Sequence, residues 1–174
     1  MIQAYTGDGK GKTTASVGLL IRAYGSGKKV ISVSFDKGSK SYHHNELLAF
    51  DKLGIEYYVT GQERMMPNGQ FRFNNTEEDI LEAERGYKLA EKLIKSKDYD
   101  LIVLDEILSA VSYGLLKKEK LIQLINFTPK ELELIITGRC SDKTIFNYCD
   151  LVTTMIKEKH YFDKGVQARP GIEY

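Results

Sequence analysis

Tyr5-Thr6-Gly7-Asp8-Gly9-Lys10-Gly11-Lys12-Thr13-Thr14 joins a short apolar stretch (Ile2, Ala4, Tyr5) to a segment of helical periodicity, Ala15 to Tyr24. Strand, glycine-rich turn and helix in that order make a phosphate-gripping loop. Glycines at alternate positions let the backbone turn its N–H groups inward, the following helix presents its positive end, and Lys12 and Thr13 suit oxygen anions and Mg2+. A polyphosphate is the expected ligand. The strict pattern places glycine five residues before Gly11, where this chain has Thr6, so the loop is a variant. The competing reading, a glycine-rich turn with a solvated lysine, leaves the order of strand, turn and helix unexplained.

The chain has 174 residues, 42% of them hydrophobic, and a formal net charge of +1. That size suits one domain spanning 1–174, and the charge balance gives no case for nucleic acid or a membrane as partner. No apolar run approaches the roughly 18 residues that cross a bilayer, and the N-terminus enters a strand directly, so the expected location is cytoplasmic. Cys140 and Cys149 are too few and too far apart for a zinc site and read as reduced thiols. Adjacent His43 and His44 diverge on any regular element, and His160 is solitary, which favours ordinary structural roles over metal binding.

Further along, Lys29 to Phe35 reads as a buried strand, Tyr42 to Leu53 as a helix and Ile55 to Val59 as a strand. Thr60 to Asn75, with Gly61, Pro67 and Gly69, reads as a long loop. From the N-cap Thr76 a helix follows, with Ile80, Ala83, Tyr87, Ala90 and Ile94 on one stripe. Leu101 to Leu104, Leu132 to Thr137 and Leu151 to Ile156 are strands, and the tail to Tyr174 is irregular. Strands apolar on both faces and alternating with helices predict an α/β fold, a P-loop NTPase-like, mostly parallel sheet with helices on both faces.

Ligands of such sheets sit beyond the carboxyl ends of the strands. The glycine loop, Asp105-Glu106 and Gly138-Arg139 each follow a strand directly, so all three are expected at one edge. An aliphatic strand ending in Asp-Glu supplies a carboxylate for magnesium; successive strand residues face opposite ways, so one of Asp105 and Glu106 is expected at the metal, and spacing leaves open which. Arg139 can offer a planar fork to phosphate or carboxylate. Arg22, ten residues beyond Lys12 on a helix, is too far from the phosphates and reads as structural.

Several segments together carry a resemblance: Thr6 to Ala15, Phe35 to Gly38, Leu104-Asp105-Glu106, Thr137-Gly138-Arg139, and the tail Lys159 to Ala168 with Gly171-Ile172-Glu173-Tyr174. In this order they resemble the P-loop type of ATP:cob(I)alamin adenosyltransferase over nearly the whole chain. Ordinary P-loop ATPases have no reason to carry such a tail. The resemblance implies an enzyme in which a corrinoid reduced to Co(I) attacks the 5′-carbon of ATP and triphosphate leaves, in cobalamin coenzyme synthesis or salvage. It implies that Gly7, Asp8, Gly9, Lys10, Gly11, Lys12, Thr13 and Thr14, with Arg139, bind ATP. Lys12, Thr13 and Glu106 form the catalytic set, Mg2+ is served by Thr13 and the Asp105-Glu106 pair with Glu106 the first choice, and Arg22 stands near the nucleoside.

In that family ATP lies reversed relative to ordinary P-loop enzymes, which suits a loop carrying Thr6. Aromatic side chains displace the lower axial ligand of cobalt, and Phe71 and Phe73 are the corrinoid-facing candidates, where the family has Phe-x-Trp; anchoring the loop to the core is their alternative role. The chain begins close to the loop, so the N-terminal helical extension of many relatives is expected to be missing. Leu108-Ser109 and Cys140 also depart from the family pattern. A homodimer and a reduced flavoprotein as electron donor are the family expectation. Two other functions compete: a P-loop ATPase giving ADP, with Glu106 activating water, and a non-enzymatic ATP-sensing module.

Overall fold

The structure is a computed structural model that describes residues 1–38, 44–64, 66, 72 and 74–174. Its strands are β1 (Ile2–Thr6), β2 (Val30–Ser34), β3 (Glu56–Val59), β4 (Leu101–Asp105), β5 (Glu133–Thr137) and β6 (Leu151–Thr154). They form one parallel sheet in the order β3-β2-β4-β5-β1-β6. The helices are α1 (Lys12–Gly25), α2 (Asn45–Leu53), α3 (Glu77–Ser96), α4 (Ile107–Ser112) and α5 (Lys118–Phe127), with short 3-10 helices at Lys143–Tyr148 and Tyr161–Lys164.

Alternation along the central strands explains why both faces are covered. Ile102, Leu104, Leu134 and Ile136 pack with Ala90 and Ile94 of α3 and Leu121 and Leu124 of α5. Leu101, Val103 and Ile135 point the other way, onto Leu20 and Ala23 of α1 and Phe50 of α2. The α/β expectation is met, with helices on each face.

Three details differ from the sequence reading. The inward stripe of α3 is Asp79, Ala83, Gly86, Ala90, Leu93 and Ile94, while Ile80 is exposed. Asp79 turns in because it closes a capping box with Thr76 and receives Arg72. Between β4 and β5 stand α4 and α5, unassigned above. At the opposite edge from β3, β6 is exposed along its whole length, and the tail after it contains a turn of 3-10 helix in place of purely irregular chain. The expected helical start at Tyr42 lies outside the described residues.

Because β4, β5 and β1 are neighbours, their carboxyl ends are adjacent. The glycine loop, Asp105-Glu106 and Gly138-Arg139 therefore share one edge. Among the described residues no helix is long and apolar enough to cross a membrane.

Candidate active site

Thr6 is the last residue of β1, pairs with Thr154 of β6 and accepts the Met155 N–H at 2.8 Å. The strand thus runs one residue further than the strict loop pattern allows, and the need for positive φ passes to Gly7, at φ 109°. A Cβ on Gly7 would stand 2.2 Å from the Met155 carbonyl oxygen, and one on Gly9 would stand 2.8 Å from it. Gly9 also donates its N–H to that oxygen at 2.8 Å. One amide of the loop, that of Gly9, is thus taken by protein, and Gly7 and Gly9 are small because the chain leaving β6 passes against them. Gly11, at φ 120°, caps α1 without a side-chain hydrogen bond, which leaves the leading amides of α1 for an anion.

The Lys12 ammonium bends back onto its own loop, donating to the Gly9 carbonyl at 2.8 Å. Burial pushes Lys12 below the usual lysine range, against the pull of Glu106. Asp8 turns out of the loop to accept the Lys157 N–H at 3.2 Å. That bond first, and Arg139 in smaller part, lower the Asp8 carboxyl. Arg139 is exposed at the same edge.

Asp105, buried, ends β4 on the α1 side. It accepts from Thr13 Oγ1 at 3.1 Å and from Thr137 Oγ1 at 2.5 Å, and it pairs with the Lys37 ammonium. Burial pushes its carboxyl up, yet Lys37, Thr137 and Thr13 together hold it below the ordinary range. Glu106 does not follow the strand alternation, because its φ of 62° turns the chain left-handed into α4. Both acids therefore reach the same edge, although the chain direction changes between them. The Glu106 N–H donates to Thr137 Oγ1 at 3.0 Å, and its carboxylate accepts from Ser109. Ser109 Oγ in turn accepts the Arg139 N–H at 2.8 Å, so one hydroxyl ties the acid to the turn after β5. That turn needs Gly138, whose added Cβ would lie 2.6 Å from the Ser109 nitrogen.

A cavity of about 520 Å³ opens beside the head of α1, lined by Thr13, Thr14, Lys37 and Glu106 and closed by Gly171 to Tyr174 of the tail. Asn45 Nδ2 donates to the Tyr174 carbonyl at 2.6 Å. The donor set of Thr13 hydroxyl and two carboxylates is hard oxygen, the chemistry that fits Mg2+. Among the described residues no three His, Cys, Asp or Glu side chains form a metal group, so further ligands would come from a bound polyphosphate.

Of the expected site residues, Gly11, Lys12, Thr13, Thr14, Asp105 and Glu106 come together, with Arg139 close by. Lys10 does not join them: its ammonium is turned to Glu173 and Tyr161, at 2.8 and 2.9 Å. Arg22 is not brought to the loop either. It lines a separate cavity with Gln3, Asp100 and Glu133 at the amino ends of the strands, away from the glycine loop as its spacing from Lys12 predicts. Phe71 and Phe73 lie outside the described residues. Lys37, Thr137, Ser109 and Glu173 were not singled out as site residues, although each falls in or beside a quoted segment. His160 accepts the Phe162 N–H at 3.1 Å and caps the tail's 3-10 helix, and burial raises the thiols of Cys140 and Cys149, both free.

The profile of the family described as ATP:corrinoid adenosyltransferase BtuR/CobO/CobP matches residues 1–174. Over 174 residues the chain is 35% identical to the corrinoid adenosyltransferase of Escherichia coli strain K12, covering all of this chain and 85% of that one. It is 34% identical to the corrinoid adenosyltransferase CobA of Salmonella typhimurium strain LT2, with all of this chain and 85% of that relative covered. Identity to the corrinoid adenosyltransferase of Pseudomonas aeruginosa strain PAO1 is 30%, with all of this chain and 83% of that relative covered. Full-length agreement, with the tail included, goes beyond a shared phosphate loop: the chain belongs to the ATP:corrinoid adenosyltransferase family.

Proposed function

We propose that this protein, acting as one domain over residues 1–174, transfers the 5′-deoxyadenosyl group of ATP to the cobalt of a Co(I) corrinoid in cobalamin coenzyme formation. The observation that carries the reading is the meeting of Lys12, Thr13, Asp105 and Glu106 at the uncapped head of α1, beside a cavity walled by the tail that distinguishes this family. Co(I) supplies the electron pair for the new cobalt–carbon bond, the C5′–O bond breaks, and triphosphate departs with its electrons. The protein's task is to stabilise charge gathering on that leaving group. The leading amides of α1 and the Lys12 ammonium do this directly. Thr13 and Glu106 hold Mg2+, whose contribution when bound is to neutralise phosphate oxygens, and Asp105 orients Thr13.

Phe71 and Phe73 face the corrinoid, a reduced flavoprotein supplies the electron for Co(I), and the working form is a cytoplasmic homodimer; the family resemblance supports these assignments. The test is an anaerobic incubation with ATP, Mg2+ and chemically reduced corrinoid. The expected products are triphosphate and a light-sensitive alkylcobalt spectrum. Corrinoid-independent release of ADP and phosphate would favour the ATPase, and ATP binding without turnover the sensing module.

A further inference from the structure

We propose that Lys10 is a positioning residue acting through Glu173: their ion pair holds residues 171–174 in place as a wall of the cavity. This deepens the reading of that cavity as the nucleotide site and rests on it. Glu173 is the hub of the tail. Its carboxylate accepts from Lys10 Nζ at 2.8 Å, from the Tyr161 hydroxyl, and from Arg169 through the backbone N–H at 2.8 Å and Nε at 3.1 Å. The Lys10 amine also donates to the Tyr161 hydroxyl at 2.9 Å, and the Arg169 guanidinium lies 5.0 Å from the centre of the Tyr161 ring.

These bonds do different jobs. Arg169 and Glu173 are four residues apart, so their contacts shape the tail without attaching it to anything. Lys10 and Glu173 are 163 residues apart, so theirs docks the tail on the glycine loop. A second tether, from Asn45 to the Tyr174 carbonyl, fixes the far end. Held by these two adjacent tethers, Gly171, Ile172 and Glu173 line the cavity with Thr13 and Thr14. The loop's first lysine thus faces the tail while its second, Lys12, stays over the loop. A phosphate ligand would not need a carboxylate partner, whereas a clamp does. An ion pair this accessible gains little on its own, but as a charge-assisted network that orders a wall it acts on whatever the wall contacts.

The experiment compares Lys10→Met, Glu173→Gln, the double variant and Lys10→Arg in the full chain. Amide exchange of residues 171–174 is read without nucleotide, and MgATP affinity by calorimetry. Thermal unfolding is expected to remain cooperative, since the pair is at the surface. Each single change is expected to speed tail exchange and weaken MgATP binding about tenfold. The double variant should be no weaker than Glu173→Gln, and Lys10→Arg should keep both properties. Additive losses, or weaker binding by Lys10→Met with unchanged tail exchange, would make Lys10 a direct phosphate ligand and overturn the proposal. Unchanged exchange and affinity in both single variants would also overturn it. If the wild-type protein bound no MgATP, the nucleotide reading would fall, while tail exchange would still judge the clamp.

Discussion

The Lys37 ammonium pairs with Asp105 and stands 3.4 Å from Thr13 Oγ1, so the oxygens expected to serve a metal already hold a side-chain cation. Glu46 lies 3.8 Å from the same ammonium. Asp105 is closed in by Thr13, Thr137 and this lysine, and without the lysine a buried carboxylate would lose its countercharge. Lys37→Met should therefore lower stability by about 3 kcal/mol or more in urea unfolding. Adding Asp105→Asn should recover much of that loss, because the uncompensated charge goes with it. A Lys37→Met protein as stable as the parent would show that the pair is not what neutralises Asp105.

Gly7 and Gly18 make a matched test of what the loop glycines are for. Gly7 combines φ 109° with a Met155 carbonyl oxygen 2.2 Å from any added Cβ, so both backbone and neighbour oppose a side chain. Gly7→Ala should cost about 2–3 kcal/mol and loosen the chain after β6. Gly18 lies within α1 with nothing inside 4 Å of an added Cβ. Gly18→Ala should be stabilising by about 0.5–1 kcal/mol through helix propensity. Thermal or denaturant unfolding of both variants checks the contrast, and equal effects would contradict the packing role given to Gly7.

Much of this architecture is legible locally. The central strands announce themselves as aliphatic runs, and Thr76 followed by Asp79 marks a helix start, because these signals depend on near neighbours. The α5 helix carries the same kind of signal, since Leu121, Leu124 and Ile125 keep helical spacing, but it is left unassigned in the sequence reading above. The six-residue α4 carries no such signal, because it starts from left-handed Glu106 and has no side-chain cap. What the chain hides is pairing at long range. Nothing in Phe35 to Gly38 says that Lys37 will meet Asp105, 68 residues on, nor that Lys10 will find Glu173. Thr137 reads as the end of an apolar strand, and only the β4–β5 register puts its hydroxyl against Asp105. The misplaced Ile80 has the same cause: the periodicity test rewards an apolar residue, while the structure turns in an acid because two arginines await it.

That acid gives the protein a distinct response to low pH. Arg72 donates to Asp79 at 2.6 and 2.9 Å, the Thr76 N–H donates at 2.8 Å, and Arg64 lies 3.8 Å away. The Arg72 fork foremost holds the Asp79 carboxyl well below the usual carboxylate range. Since its folded pKa lies below the unfolded value near ~3.9, its stabilisation is complete above that value and fades as pH falls toward the folded one. Asp79→Asn should lower stability at neutral pH by about 3 kcal/mol and flatten the loss between pH ~4 and ~2. Unfolding free energies measured across that range decide it; parallel curves for the two proteins would mean that another carboxylate governs the acid limb.

Lys12 carries the most direct prediction about chemistry. It is half-buried, held over the loop by the Gly9 carbonyl, and lies within the electrostatic reach of Glu106. Lys12→Ala removes positive charge from the place where the departing triphosphate gathers negative charge, so turnover should fall by about 10²-fold or more. The fold should remain, because that side chain supports no core contact. Burial lowers the Lys12 pKa, so the ammonium is lost at lower pH than in an ordinary lysine, and turnover should decline on the alkaline side earlier than a free lysine would impose. Lys12→Arg keeps the charge at high pH and should move that decline upward even if its turnover is lower. Anaerobic assays of the three proteins across alkaline pH, with chemically reduced corrinoid in excess, measure both effects. Unchanged turnover in Lys12→Ala would remove Lys12 from the catalytic set, and an alkaline limb that Lys12→Arg fails to move would assign it to another group.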